Sequence, residues 1–340
     1  MISSKTTNIV NKLYKLSFCI FLLLMFLFPT PALAGAKRGL LLWFNTVLPT
    51  LLPFIILSTL IVRLGIAYSL CNVFYPVIGR IFHVTKNACY PIIMGFLSGI
   101  PLGAKTSADL VKEKRITKDE GQFLAIMCNN ASPMFVLGYV AMSELNAPKM
   151  KLPIILLLYG SSILTALLCR QFYPILCRHP YEAKLPIANS ELNKKVYAQS
   201  EDITPAKSRS RFKIDFTIID SAIMDGFDVI TKIGGYIILF SVLTQIILSI
   251  EPLHEAVRFI FVGILEITTG IDTVATSGLT ESIKIVLILC ITSFGGFSGI
   301  AQTKSVFADS GLSIIFYIKA KLLNTFVTLC LALLYVKIFL

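Results

Sequence analysis

A glycine-rich segment followed by a lysine is the first part of this chain whose residues could do chemistry. Gly99, Pro101 and Gly103 precede Lys105 within an apolar stretch. Glycine permits sharp turns and close approach to a ligand, and free N–H groups at a helix start attract anions. The segment therefore predicts an anion-binding site to which the lysine contributes. The alternative interpretation is a packing bend whose lysine extends to the membrane surface.

A second glycine-rich segment resembles the first. At a shift of 200 residues, six of the fifteen positions from Gly95 to Asp109 are identical. This match predicts an internal repeat, and we expect both copies to contribute to one substrate site. The candidate substrate-binding residues of the second copy are Gly295, Gly296, Ser298, Gln302 and Lys304.

Polar residues also interrupt a run that is otherwise apolar. Asn129, Asn130, Ser132 and Pro133 lie within the run Phe123–Met142. Amides and a hydroxyl are costly in hydrocarbon without partners, and proline breaks helices. The pattern predicts a broken helix that exposes backbone carbonyls to a cavity. The alternative is hydrogen bonding between packed membrane helices.

Two carboxylates are candidates for coupling transport to a proton or cation. Glu266 and Asp272 flank Thr268-Thr269-Gly270, and Glu266 lies in an apolar stretch. Acidic residues at membrane depth mark ion or proton pathways by default. If the segment only follows the membrane surface, both are ordinary solvated acids. The coupling ion itself is left open.

Enzyme motifs are not found in the sequence. The chain has no P-loop, dinucleotide fingerprint or HExxH motif. Its eight cysteines and three histidines show neither a CxxC pair nor metal-ligand spacing. We therefore predict that the protein is not an enzyme and has no cofactor, metal site or disulfide. The net charge is +12, and the basic residues lie in segments between apolar runs. This distribution is typical of the cytoplasmic loops of a membrane protein and argues against nucleic-acid binding.

The elements that must position these residues are membrane helices. Hydrophobic residues make up 55% of the 340 residues and charged residues only 15%, whereas soluble domains carry about 25% charged residues. The predicted fold class is an all-α integral membrane protein with about six spanning helices, two re-entrant segments and an inverted repeat. The predicted spans are Leu16–Ala34, Leu40–Val62, Phe123–Met142, Leu152–Leu176, a span near Tyr236–Ile250, and Ser313–Phe339.

Composition divides the chain into four parts. Residues 1–36 form a signal-like segment or a first transmembrane helix, because an apolar stretch ends in Ala32-Leu33-Ala34. Residues 37–178 form the first membrane half and residues 214–340 the second. Residues 179–213 form a basic cytoplasmic linker. Aspartates 215, 220, 225 and 228 alternate with apolar residues, which is typical of an amphipathic helix on the inner surface.

Charge distribution predicts the topology. The segment Tyr90–Ala104 is too short to cross and is expected to re-enter from the cytoplasm, while Ile291–Ala301 re-enters from the other side. Residues 65–84 are expected at the membrane interface. This arrangement places Lys118 inside and Lys304 outside, and two re-entrant segments from opposite faces are what an inverted repeat requires.

Three stretches resemble the YlbJ-type sporulation integral membrane proteins, the stage V sporulation family of endospore formers. The likeness covers most of the chain from about Leu40 onward. It is carried by Gly99-Ile-Pro101-Leu-Gly103-Ala104-Lys105, by Cys128-Asn129-Asn130-Ala-Ser132-Pro133-Met-Phe135, and by Gly295-Gly296-Phe-Ser298-Gly-Ile-Ala-Gln302. The resemblance implies a nucleoside-recognition or gate domain and an architecture like that of concentrative nucleoside transporters.

The resemblance further implies transport of dipicolinate from mother cell towards forespore across the outer forespore membrane. The sequence is thus interpreted as a transporter that carries a small aromatic dianion through a site at the membrane midplane. Two alternatives stay open: a transporter of nucleoside-like solutes, and a non-transporting assembly or signalling protein of the spore envelope. The expected partners are the anionic substrate and the lipid bilayer, without nucleic acid. Homo-oligomerisation is left open.

Overall fold

The computed structural model describes residues 16, 18–64, 66–176, 216–250 and 255–339, and their regular structure is helical throughout. Helices satisfy every backbone N–H and C=O internally, as hydrocarbon requires. The α-helices are α1 (Pro29–Leu42), α2 (Leu48–Arg63), α3 (Ile66–Phe82), α4 (Cys89–Ser98), α5 (Leu102–Lys112), α6 (Lys118–Cys128), α7 (Lys151–Leu176), α8 (Phe216–Ile250), α9 (Glu255–Leu265), α10 (Ile267–Ala275), α11 (Glu281–Phe294), α12 (Gly296–Val306) and α13 (Ile314–Phe339). Phe135–Glu144 is π-helical.

Five helical stretches of the described chain are long and apolar enough to cross a membrane. The predicted all-α integral membrane class is therefore confirmed, with five candidate spans where about six were expected. The candidate spans are Pro29–Ile61, Pro148–Gln171, Phe216–Ser249, Glu281–Val306 and Ile314–Phe339. The predicted linker, residues 179–213, lies outside the described residues.

The first candidate span joins two runs that were predicted to be separate. α1 continues through the π-helical turn Trp43–Val47 into α2 without a loop. The predicted boundary between the spans Leu16–Ala34 and Leu40–Val62 is therefore absent, because Pro29–Ile61 is one candidate span, whereas Phe18–Leu27 is a separate, shorter apolar helix. The charged residue Arg38 need not lie in a loop because its guanidinium pairs with the carboxylate of Asp272.

The long helix α8 packs antiparallel against α1 and α2. Small residues allow close contact, since a Cβ on Gly39 would lie 3.0 Å from the Ile238 Cα. The Trp43 indole donates a 3.0 Å hydrogen bond to the Ile230 main-chain oxygen. α8 begins at Phe216, so the aspartates of the predicted amphipathic segment lie on the same helix as the span, apart from Asp215, which lies outside the described residues.

Two pairs of short helices double back as hairpins. α4 and α5 meet at Gly99-Ile100-Pro101, and a Cβ on Gly95 would lie 3.0 Å from the Gly103 Cα. α9 and α10 meet at Glu266. Their backbones are in close contact, since a Cβ on Gly270 of α10 would lie 2.5 Å from the Gly263 Cα of α9. The first hairpin falls on the predicted segment Tyr90–Ala104. The second was not predicted.

Two further helices are interrupted but continue in the same direction. The first runs from α6 through the break at residues 129–132 into the π-helix, and it lies along α7. The second runs from α11 through Gly295 into α12. α13 follows both of its parts, because Asn324 bonds the Ser293 main-chain oxygen and Tyr317 packs against Phe307. The chain therefore does not turn back at Ile291–Ala301, and the prediction of a re-entrant segment there is wrong.

Several basic residues outside the linker gather at one end of the helical bundle. Gln122 bonds both main-chain groups of Ser313, and Lys118 lies against Gly311. The α12–α13 turn is thus beside the start of α6. Lys304 is in the last turn of α12, which leads into that turn, and this favours the same end as Lys118 over the opposite sides that were predicted. We call this the basic end; it contains Lys86, Arg115, Lys118, Arg170 and Lys304.

The two hairpins open towards opposite ends of the bundle. α4 begins next to Lys86 and α5 ends at Lys112, so the first hairpin opens to the basic end. The second hairpin opens to the other end, where Asp272 pairs with Arg38. The helix α3, on the predicted interfacial segment, keeps large apolar side chains exposed, among them Val73 and Val77. Its position at the membrane interface stays a prediction.

Candidate solute site

The tip of the first hairpin docks on the first helix break. The Ile100 N–H donates a 2.9 Å hydrogen bond to the Asn130 main-chain oxygen. Gly99 has a φ of +77°, and a Cβ there would lie 2.6 Å from the Ser132 nitrogen. A Cβ on Gly103 would lie 2.5 Å from the Cys128 oxygen. Glycine is therefore required for this contact on both steric and conformational grounds.

The two asparagines of the break are buried and connect separate helices. Asn129 accepts a 3.3 Å bond from the Ala104 N–H and donates 2.8 Å bonds to the hydroxyl oxygens of Thr303 and Tyr317. Its side chain therefore joins the first hairpin to α12 and α13. The Asn130 amide nitrogen donates to the Met127 oxygen at 2.7 Å and to the Ser162 hydroxyl at 2.8 Å.

Ser132 and Pro133 begin the helix that follows the break. The Ser132 hydroxyl accepts a 3.2 Å bond from the Phe135 N–H, as an N-cap does. Proline is favoured in the first helical turn because the N–H it lacks would have no partner there. The predicted broken helix is therefore present at these residues. The break also borders a small cavity of about 10 Å³, which is enough for roughly one water molecule.

A buried lysine at the first break was not predicted from the sequence. The Lys321 ammonium donates to the Asn129 main-chain oxygen at 2.8 Å and to the Asn130 side-chain oxygen at 3.1 Å. It also lies 5.6 Å from the centre of the Tyr317 ring, and the residue is only 3% exposed. Among the described residues, no carboxylate pairs with it. A charged residue inside the apolar run Ser313–Phe339 was the signal that could have identified it.

The tip of the second hairpin docks on the second break. A Cβ on Gly296, whose φ is +69°, would lie 3.1 Å from the Ile267 nitrogen and 3.2 Å from the Glu266 Cα. The buried Glu266 carboxylate caps α10, because it accepts a 2.7 Å bond from the Thr269 N–H and bonds from the Thr268 and Thr269 hydroxyls. This carboxylate is therefore bound to the start of its own helix.

The first hairpin tip also reaches the second break. The Ile100 Cδ1 would lie 3.3 Å from a Cβ on Gly295 and 3.8 Å from one on Gly299. The preceding residue, Ser98, has a buried hydroxyl without a hydrogen-bond partner among the described residues. One hairpin tip thus contacts both interrupted helices, and it places an unsatisfied polar group beside them.

The structure brings together most, but not all, of the predicted site residues. Those at the hairpin tips and breaks converge, namely Gly99, Pro101, Gly103, Asn129, Asn130, Ser132, Pro133, Gly295, Gly296 and Glu266. Ser298 is buried on α12 and Gln302 is half-buried. Lys105 and Lys304 are exposed, and Asp272 pairs with Arg38 away from the breaks. The positive charge at the break therefore comes from Lys321.

Comparison with known proteins gives one informative relative. The chain is 26% identical over 337 residues to the sporulation integral membrane protein YlbJ of Bacillus subtilis (strain 168). The similarity covers 93% of this chain and 80% of the relative, and it supports the YlbJ-type family. No protein-family model and no solved structure matches the chain.

Proposed function

We propose that this integral membrane protein acts in sporulation as a transporter of a small anionic solute, with dipicolinate as the expected substrate. The solute would pass from mother cell towards forespore across the outer forespore membrane. The sporulation role is supported by the similarity to YlbJ over nearly the whole chain. The transport role rests on the geometry at the hairpin tips.

The observation that carries the proposal is a repeated arrangement of elements. Each half contains a hairpin, then an interrupted helix, then a long helix: α4–α5, α6 with the π-helix, and α7 in the first half, and α9–α10, α11–α12, and α13 in the second. The hairpins open to opposite ends, and each tip docks on the break of its own half. Inverted repeats with discontinuous helices at the centre are typical of secondary transporters.

The long helices of the two halves also meet antiparallel. The Thr165 and Asn324 side chains are 3.3 Å apart, and the Ser161 and Thr328 hydroxyls are 2.8 Å apart. Because 165 pairs with 324 while 161 pairs with 328, the two helices run in opposite directions. We infer that the inverted repeat relates these elements. The sequence match at a shift of 200 instead pairs a hairpin with an interrupted helix.

Buried polarity favours a transporter over a scaffold. Non-helical backbone at membrane depth is tolerated where it is buried in protein or lines a watery cavity. A protein that only assembles with others has no requirement for two breaks, two hairpin tips and a buried lysine at one place. In a transporter, separation of either tip from its break would open the site to one end only, which is the basis of alternating access.

The basic end supports an orientation in which the first hairpin faces the cytoplasm. Positive charge marks the cytoplasmic side of membrane proteins, and the basic end holds Lys86, Arg115, Lys118 and Arg170. The first hairpin would then open to the cytoplasm. For a protein in the outer forespore membrane this side is the mother-cell cytoplasm, from which an anion would be taken up.

The test is solute content in sporulating cells. With the gene deleted, we expect dipicolinate to remain in the mother cell and the forespore to lack it. Complementation with the intact gene should restore forespore dipicolinate. A normal dipicolinate content in forespores of the deletion strain would refute the proposed substrate.

A further inference from the structure

We propose that Lys321 is the residue that binds a carboxylate of the transported anion, with the Ser98 hydroxyl as a second contact. The proposal deepens the proposed function and rests on it. Lys321 would recognise the negative charge of the solute, a role that the sequence had indicated for Lys105.

The donor capacity of Lys321 is only partly used. A lysine ammonium has three N–H donors, and two of them have acceptors, the Asn129 main-chain oxygen and the Asn130 side-chain oxygen. The Tyr317 ring lies on a further side at 5.6 Å. The third N–H has no oxygen acceptor among the described residues, and in the proposed site it would donate to a ligand oxygen while the other two hold the ammonium in place.

Neighbouring groups offset part of the cost of burying an ammonium at Lys321 but do not supply a countercharge. Asn129 is the C-cap of α6, and the carboxyl end of a helix carries partial negative charge. The Asn130 amide oxygen and the Tyr317 ring add to that stabilisation. A carboxylate partner is missing among the described residues, although buried cations normally have one. An anionic ligand would supply the missing countercharge.

Ser98 supplies the second observation that points to a ligand. Its hydroxyl is buried without a hydrogen-bond partner among the described residues, and such groups are rare because they cost free energy. Ser98 lies two residues before Ile100, whose N–H bonds the main-chain oxygen of Asn130. The side chain of the same asparagine bonds Lys321. The unused hydroxyl and the unused ammonium donor therefore lie on two segments that meet at Asn130.

Access to Lys321 requires movement of the first hairpin tip. Ile100 lies between the two breaks, since it contacts Asn130 on one side and approaches Gly295 on the other. Withdrawal of the tip from Asn130 would open space next to Lys321 from the basic end. The carboxylate would bind the ammonium in that open state, and the tip would then close over the bound solute.

The experiment compares a dianion with a neutral molecule of the same shape. The full-length protein is reconstituted in liposomes, and uptake of dipicolinate and of pyridine-2,6-dicarboxamide is measured. The variants are Lys321→Gln and Lys321→Met, with Lys319→Gln as the matched control, because Lys319 lies on the same helix and is exposed. We expect both Lys321 variants to raise the KM for dipicolinate about tenfold or more, which is the loss typical of a hydrogen bond to a charged group. They should also reduce the preference for dipicolinate over the diamide, while Lys319→Gln behaves as wild type.

Several outcomes would overturn the assignment. Membrane-inserted Lys321 variants with an unchanged KM and unchanged preference would exclude a role in recognition. Failure of both variants to accumulate in membranes, with normal accumulation of the control, would assign Lys321 to folding instead. Wild-type liposomes that take up no dipicolinate would refute the proposed function itself, so the two failures are distinguishable.

The variant Ser98→Ala tests the second proposed contact independently. The substitution removes a hydroxyl that has no partner to lose, so we expect normal accumulation of the protein. The KM for dipicolinate should rise severalfold, about the effect of one neutral hydrogen bond. An unchanged KM would remove Ser98 from the proposed site.

Discussion

The Lys321 ammonium lies 2.8 Å from the main-chain oxygen of Asn129, although 192 positions separate the two residues. This contact joins the last helix of the second half to the break in the first half. Because the Asn129 side chain also reaches Thr303 and Tyr317, one residue connects the first hairpin, the first break, α12 and α13. Hydrogen bonds of Asn129 therefore link the first hairpin to elements of both halves.

Replacement of Asn130 tests whether the break serves transport or folding. Asn130→Leu removes bonds to Met127, Ser162 and Lys321. Hydrogen bonds between membrane helices contribute about 0.6 kcal/mol each, so the variant should still insert and remain folded. We expect forespore dipicolinate to be lost, because Lys321 would lose one of its two oxygen acceptors.

The control for Asn130→Leu is Ser162→Ala, which removes only one of these partners. We expect near-normal dipicolinate content for that variant. Both proteins should be quantified in isolated membranes. Disappearance of Asn130→Leu from the membrane fraction would identify the asparagine as a folding residue.

A methyl group on Gly99 should prevent docking of the first hairpin. The added Cβ would lie 2.6 Å from the Ser132 nitrogen, and the φ of +77° is unfavourable for alanine. Gly99→Ala should therefore lower both the thermal stability and the dipicolinate uptake of the purified protein. Gly160→Ala is the matched control, since its Cβ would contact nothing within 4 Å. Equal behaviour of the two variants would contradict the docked tip.

The ion pair between Arg38 and Asp272 should be a small stabilising contact. The side chains are 37% and 26% exposed, and exposed pairs contribute about 0.2–1 kcal/mol. We expect a double-mutant cycle of Arg38→Ala and Asp272→Ala, measured by thermal unfolding in detergent, to give a coupling energy in that range. Asp272→Asn should keep dipicolinate uptake. Loss of uptake in a stable Asp272→Asn protein would restore Asp272 as a coupling carboxylate.

Cysteine labelling should place Lys118 and Lys304 on the same side of the membrane. Lys118 lies against Gly311 and Lys304 is in the last turn of α12, so both belong to the basic end. Lys149, beyond the π-helix, belongs to the opposite end. After replacement of all eight native cysteines, single cysteines at the three positions are treated with an impermeant thiol reagent. Protection of only one of the first two would contradict the described fold.

Lys105→Ala should have little effect on transport. Lys105 is exposed on α5, and exposed substitutions typically change free energies by no more than about 0.5 kcal/mol, roughly a twofold effect. We expect dipicolinate uptake close to wild type in liposomes of equal protein content. A complete loss of uptake would return the anion site to Lys105 and weaken the case for Lys321.

The sequence alone determined the class of the protein and the place of its first break. Long apolar runs predict membrane helices because hydrocarbon leaves the backbone few alternatives. Asn129, Asn130 and Pro133 predicted an interrupted helix, and Gly99 to Gly103 predicted a sharp turn, because these residue types change local backbone preferences. Both features are present in the structure.

Tertiary structure decided what local patterns do not specify. The direction of the chain after Gly295 depends on α13, which follows both α11 and α12. Arg38 lies within the continuous helix of α1 and α2 and pairs with Asp272, which is 234 positions away in the chain. The hairpin at Glu266 and the placement of Lys321 beside Asn129 likewise depend on contacts between distant segments. A local sequence pattern reports the backbone preference and polarity of neighbouring residues, whereas the partner of a buried charge is set by which helices pack together.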